Sequence, residues 1–237
     1  MFLPFAKTAW QSIQDGILAT QQKNKNTEGY LSISTVLTAS VYILPNLIKE
    51  FYEKYPKVKL GIHTGHSPNV LDMVLSSEVP LGISRSVSHP QIETIHLLDD
   101  DMVLVIYPDH TFTSANRVSV QDIANEKLIL FNRGSLDRTL ISNAFASIGV
   151  KPNVVLEVDN IELVKQMIRK RMGIGILPRF SIEEELITNT LQVVKINNLP
   201  QLHRPFQLIY LKDTKIEGIL KILVDFIVEK VQKGTED

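Results

Sequence analysis

The sequence predicts an α/β protein made of two runs of alternating strand and helix. Three observations carry this. Short apolar runs alternate with amphipathic stretches from Tyr30 onward. The strongly apolar residues 102–107 (MVLVIY) close a first alternation, and a second begins near Val118. A last strand-like run, residues 206–211 (FQLIYL), and an apolar-striped stretch, residues 216–231, then return the chain to the first group. Repeated strand–helix–strand units build a largely parallel sheet.

The elements follow in order. Residues 2–22 have apolar side chains at roughly helical spacing (Phe2, Phe5, Ala9, Ile13, Ile17) and read as a helix. Residues 21–28 (QQKNKNTE) offer no apolar anchor and read as a linker. Residues 30–36 (YLSISTV) are a strand. Residues 41–55 are a helix with Leu44, Leu47, Ile48 and Phe51 as its buried stripe, Pro45 in its first turns and Pro56 as its stop. Residues 58–63 are a strand, 67–76 a helix and 81–84 (LGIS) a short buried strand. Residues 92–98 and 102–107 are two strands, with Asp99, Asp100 and Asp101 as an acidic turn between them.

The second run opens with a short helix at residues 120–125 and a strand at 128–131 (LILF). A helix over residues 137–148 ends at Gly149, a residue suited to the left-handed position after a helix. Residues 154–158 are a strand. Residues 160–171 are a helix with Asp159 or Asn160 as its cap, and the cations Arg169, Lys170 and Arg171 at its end read as a solvated face. Residues 174–177 and 191–196 are strands.

Composition bounds what such a chain does. Apolar residues make up 44% and charged residues 22% of the 237, so a sizeable core can form. The formal net charge is -1. No basic stripe marks a free-standing nucleic-acid binder. The absence of cysteine excludes disulfides, thiolate metal sites and cysteine nucleophiles. No run of about 18 apolar residues suggests a membrane span, and the first ten residues make a poor secretory signal, so the cytoplasm is expected. The six histidines form no H-x-x-x-H pair, and no G-x-S-x-G elbow is present, so neither a metal centre nor an enzyme is expected.

In parallel α/β sheets ligands sit outside the carboxyl ends of the strands, at helix starts. That points to residues 35–40, 64–69, 84–88 and 132–138. Thr38 and Ser40 bring hydroxyls to the first, with helix capping as the plainer alternative. His66 and Ser67 open the second, and a neutral-range titration of His66 would make binding depend on pH. Arg85 follows the LGIS strand, where a guanidinium can pair with a carboxylate, unless it is simply solvated. Asn132, Arg133, Gly134 and Ser135 follow the LILF strand, with Gly134 permitting close backbone approach. Arg204 precedes the returning strand and reads as structural first and as a ligand contact second. Hydroxyls, helix starts and arginines together suit a small anion, a carboxylate foremost.

Three stretches then carry a family resemblance. Residues 29–56 (GYLSISTVLTASVYILPNLIKEFYEKYP) with 58–65 (VKLGIHTG) resemble the opening of the sensor domain of LysR-type transcriptional regulators. Residues 79–84 (VPLGIS) sit where that family has a short D-[LF]-[AG]-I-like strand, with Pro80 in place of the aspartate. Residues 157–178 (EVDNIELVKQMIRKRMGIGILP) resemble its E……V..G.GI..LP segment, and residues 2–10 (FLPFAKTAW) resemble the start of its linker helix.

The resemblance implies an effector-binding domain with part of the linker helix and without the winged helix-turn-helix that normally precedes it, so this stretch should bind DNA poorly alone. It implies two Rossmann-like subdomains joined by crossover strands, of the type II periplasmic-binding-protein kind. Residues 29–110 with 205–237 would form subdomain I, residues 111–204 subdomain II, and residues 1–28 the linker helix and linker. It further implies a small-molecule inducer in the cleft between subdomains, no cofactor, and homodimers or homotetramers on promoter DNA. The rival architecture is the solute-binding protein of a transporter.

Overall fold

The computed structural model describes residue 13 and residues 28–115, 117–200 and 202–234. The expected leading helix and linker lie outside the described residues, apart from Ile13 and Glu28. The chain divides into two compact units, Met1–Asp99 with Pro205–Asp237, and Asp100–Arg204.

In the first unit β1 (Gly29–Val36) pairs in parallel with β2 (Val58–Gly65) and with β3 (Leu81–Arg85), and β10 (His203–Leu211) runs antiparallel to β3. Leu31 and Ile33 of β1 and Leu81 and Ile83 of β3 are buried, and so are Ser34, Thr35 and Ser84 on the opposite face, as in parallel strands covered on both sides. Helices α1 (Leu37–Tyr42), α2 (Leu44–Lys54), α3 (Ser67–Leu75) and α8 (Gly218–Gly234) accompany this sheet. The Phe51 ring of α2 meets Phe226 of α8 edge-on at 5.2 Å.

The single helix expected over residues 41–55 is two helices, and the first starts directly at the end of β1. Pro45 explains the break. It has no N–H to donate and its ring collides with a preceding turn of helix. A new helix therefore begins with proline in its first turn, where no intrahelical donor is needed. The two strands and acidic turn expected over residues 92–107 are also corrected. They form one strand, β4 (Ile92–Ile106), 15 residues long. The pleat turns Asp100 inward and leaves Asp99 exposed.

The second unit holds β5 (Arg117–Ser119), α4 (Val120–Asn125), β6 (Leu128–Phe131), α5 (Leu136–Ser147), β7 (Val154–Val158), α6 (Ile161–Arg169), β8 (Ile174–Pro178), α7 (Glu183–Ile187) and β9 (Gln192–Asn197). Strand β6 is parallel to β7 and β8, and β5 is parallel to β9. Strand β4 runs antiparallel to β8 and β9. The sheet pairing is thus mixed rather than largely parallel. The antiparallel pairs all involve β4 or β10, the two strands along which the chain passes from one unit to the other without a helical crossover.

Local signals set the helix ends. Asn160 accepts the Leu163 N–H at 3.1 Å, and Ser119 and Asp122 cap α4 reciprocally. Gly149, at φ +69°, ends α5 in the left-handed region. The cations at the end of α6 are not all solvated. Arg169 contacts the buried carboxylate of Glu185, which also lies 2.9 Å from the buried Lys165 ammonium. Lys165 donates besides to the Ser181 carbonyl at 2.9 Å. Glu185 belongs to α7, a helix too short for periodicity to reveal.

Arg204 is the second residue of β10 rather than a residue ahead of the strand, and the carboxylates it meets, Asp100 and Asp137, lie within this unit. It is 1% exposed. Its Nε and Nη2 donate to the two Asp137 oxygens at 2.9 and 3.2 Å, and Nη1 donates to Asp100 at 2.5 Å. Asp100 also accepts the Phe180 N–H at 3.3 Å. Burial pushes the Asp100 carboxyl up to about 6, against the pull of the Arg204 charge.

Two predictions follow from the packing. A methyl group at Gly173 would lie 2.3 Å from the Lys127 carbonyl oxygen, a backbone atom that cannot step aside. Gly173→Ala should cost about 2 kcal/mol or more by urea unfolding, in the range of overpacked cores. For Asp100, the folded protein binds the extra proton between the ordinary carboxylate value of 3.8 and about 6. Its contribution is therefore fully present at low pH and is lost as pH rises through 6. The shift corresponds to about 3 kcal/mol. The stability difference between wild type and Asp100→Asn should shrink or change sign by that order between pH 4 and 7. A difference that does not vary with pH would show that Asp100 titrates normally.

Candidate functional site

Parallel pairing fixes where the polar turns of the first unit lie. Thr35 is level with Thr64 on β2 and with Ile83 on β3, and Val36 with Gly65. The three strands therefore finish together. The residues that follow, Thr38 and Ser40 on α1, His66 and Ser67 at the start of α3, and Arg85 at the end of β3, share one edge of this sheet. Thr38, Ser40, Ser67 and Arg85 are half-buried and His66 is exposed.

Their local roles differ from expectation in detail. Thr38 and Ser40 lie within α1, not in a turn ahead of the helix. The cap position is Val36, whose side chain accepts nothing. The Ser40 hydroxyl donates to the Leu37 carbonyl at 2.7 Å. His66 holds the cap position of α3, and its N–H donates to the Asn69 side chain at 3.3 Å. Arg85 is the last residue of β3, opposite Phe206 of β10, rather than the first residue beyond the strand.

The second unit repeats the arrangement. Phe131 of β6 is level with Val158 of β7, and the Asn132 N–H continues the pairing to the Val158 carbonyl at 3.0 Å. Asn132, Arg133 and Gly134 are exposed, and Gly134 adopts φ +91°, which a side chain would strain. Ser135 caps α5, accepting the Arg138 N–H at 3.0 Å. The guanidinium of Arg133 lies 3.1 Å and that of Arg138 3.2 Å from the same Glu157 oxygen. Arg138 also donates to the Phe131 carbonyl at 3.0 Å. The hydrogen bond from Arg133, aided by both guanidinium charges, holds the Glu157 carboxyl below its usual value.

The turns singled out in the sequence do lie at strand ends, and Glu157, which was not singled out with them, meets the arginines of the second turn. That glutamate occupies the arginine side chains on which an anion at the second turn would draw. A carboxylate next to the last residue of a strand was the available signal. Among the described residues no group of three or more His, Cys, Asp or Glu side chains is arranged to hold a metal ion. No described helix is long and apolar enough to cross a membrane.

Comparisons with known proteins agree with this architecture. The family model of the LysR substrate binding domain matches residues 24–232. The HTH-type transcriptional activator CmpR of Synechocystis sp. is 25% identical over 201 residues, covering 84% of this chain and 66% of CmpR. The uncharacterized HTH-type transcriptional regulator YvbU of Bacillus subtilis is 31% identical over 185 residues, covering 76% of this chain and 60% of YvbU. Across six such curated relatives the chain spans from 47% to 76% of their length. Among solved structures, the CcmR regulatory domain of Synechocystis PCC6803 in complex with 2-PG aligns with a TM-score of 0.77 at 23% identity, over 86% of this chain and 98% of that one. The effector binding domain of QuiR in complex with shikimate aligns at 0.73 and 23%, over 87% and 98%. Likeness at this identity shows the fold, the type II periplasmic-binding-protein kind with Rossmann-like units.

The relatives are transcriptional regulators rather than transporter receptors. With the family model spanning nearly the whole sequence, this chain belongs to the LysR substrate-binding-domain family.

Proposed function

We propose that this chain is the effector-sensing part of a LysR-type transcriptional regulator and that it binds a small organic anion. The observation that carries the reading is the gathering of Thr38, Ser40, His66, Ser67 and Arg85 at one sheet edge of a family member. Arg85 supplies the charge, and its planar fork suits a carboxylate. The hydroxyls of Thr38 and Ser67 supply orientation. In the second unit the proposed contacts are the Asn132 side-chain amide, the Gly134 N–H and Ser135. The 2-PG bound to CcmR and the shikimate bound to QuiR support a small organic effector.

In this reading the two compact units are the regulatory subdomains, with the first boundary drawn at Asp100. The full-length protein is a cytoplasmic regulator and not an enzyme. It binds promoter DNA through an N-terminal winged helix-turn-helix and works as a homodimer or homotetramer. The names of the relatives support this. Effector binding changes the geometry of that oligomer and so transcription.

Calorimetry and thermal shift with 2-PG, shikimate and a panel of small organic acids test the reading. At least one should raise the melting temperature by mass action. Arg85→Ala should weaken that ligand about tenfold or more. Unchanged affinity in the variant would remove Arg85 from the site. A panel with no binder would count against the sensor reading itself.

A further inference from the structure

The three consecutive aspartates at residues 99–101 stand where the chain passes into the second unit, which begins at Asp100. Each meets a cation or a ring that can become one. Asp99 lies 3.6 Å from Nε2 of His96, Asp100 lies 2.5 Å from Arg204, and Asp101 lies 2.8 Å from Nδ1 of His203. His203 and Arg204 are the residues with which the second unit ends. Its first two residues therefore face its last two.

The three pairs differ in weight. His96 and Asp99 are both more than half exposed, and a pair in water is worth little. Arg204 and Asp100 are buried. The charged groups around that carboxyl are Arg204 from β10 and, across the same guanidinium, Asp137 from α5. Arg179 and Phe180 add backbone N–H groups. Two ionised carboxylates on one guanidinium leave one negative charge in excess, and one proton removes it. Burial makes Asp100 the group that takes the proton, at about 6.

Asp101 is matched differently. Its Oδ1 is shut off from solvent and receives no aligned hydrogen bond among the described residues, although the His203 ring is beside it. What the ring offers that oxygen is charge, and an imidazole is charged only when protonated. Such rings change charge between about pH 5 and 8. The two pairs respond in the same direction. A buried carboxyl with a raised value, and a histidine paired with a carboxylate, both stabilise in acid and lose that contribution as the pH rises.

We infer that the closure of the second unit is proton-sensitive: Asp100 with Arg204, and Asp101 with His203, hold the two ends of the unit together in mild acid and release that hold towards neutral pH. The proton is then a signal of its own for this chain, whatever small molecule it binds. Through Asp137 the same clasp reaches the first turn of α5.

Hydrogen-exchange mass spectrometry on the whole chain from pH 5 to 7.5 tests this, with each rate divided by that of an unstructured peptide at the same pH. Protection of residues 98–104 and 202–206 should fall about tenfold across the range, the ratio that one unit of differential proton binding produces. Residues 128–131 of β6 should fall much less. His203→Gln, at a half-exposed position, should fold and lose part of the response. His203→Lys keeps a cation throughout and should hold protection at pH 7.5 above that of the wild type. Asp100→Asn combined with His203→Gln should flatten the profile. Wild-type protection that does not vary with pH overturns the inference. So does an equal fall in residues 128–131, which would place the effect in the whole unit, or a His203→Gln profile identical to that of the wild type.

Discussion

A guanidinium inside a protein core is tolerated only if every direction of its fork is answered. Arg204 meets that condition in the second unit. Asp137 takes two of its nitrogens and Asp100 the third. The geometry ties together three places that are far apart in sequence. Asp100 is the first residue of the unit and Arg204 its last, so the two strands by which the chain enters and leaves are clasped by one ion pair. Asp137 lies in the first turn of α5, directly after the Asn132–Ser135 turn. A buried pair of this kind adds little net stability over apolar packing, but removing one partner alone is costly. Its effect is to fix where the α5 turn stands relative to Asp100 and Arg204, the two ends of this unit.

The same logic of answered charges explains why the second unit offers less to an anion than its arginines suggest. Arg133 and Arg138 meet Glu157, and Arg204 meets two aspartates. Lys165 and Arg169 meet Glu185. Arg133 and Arg138 share a single carboxylate, so their charge is offset only in part. What remains for a ligand is the backbone at Gly134 and the first turn of α5, where N–H dipoles attract negative charge without a full cation.

The architecture was readable where the signal is local. The LILF strand, the Asn160 cap and the Gly149 stop each depend on neighbouring residues, and each stands where the pattern put it. The misreadings share a physical cause. Three aspartates in a row look like a solvated turn, because a buried carboxylate needs a partner, and the partner of Asp100 lies 104 positions away. The start of α1 was not visible because Val36 offers no capping side chain. Lys165 sits on the buried stripe of α6 with Val164 and Ile168, and it survives there through Glu185 on a five-residue helix. That the candidate turns lie at strand ends was legible from the alternation of strand and helix, and the register of β1, β2 and β3 brings those ends level. Which donors are already spent was not, because that depends on pairs such as Arg133 with Glu157.

Strand order dictates the place of the site, and pairing dictates its chemistry. Parallel β1, β2 and β3 bring Thr38, His66, Ser67 and Arg85 to one edge whatever those residues are. Replacing them would leave the sheet intact, because the strands are held by backbone hydrogen bonds and by the buried face of Ile33, Leu81 and Ile83. The fold can therefore accept new ligands by changing strand-end residues without risk to its core. In this chain the residues at and just beyond those strand ends include hydroxyls, an imidazole and one arginine. The frame recognises by position, and the residues at the strand ends decide what that position prefers.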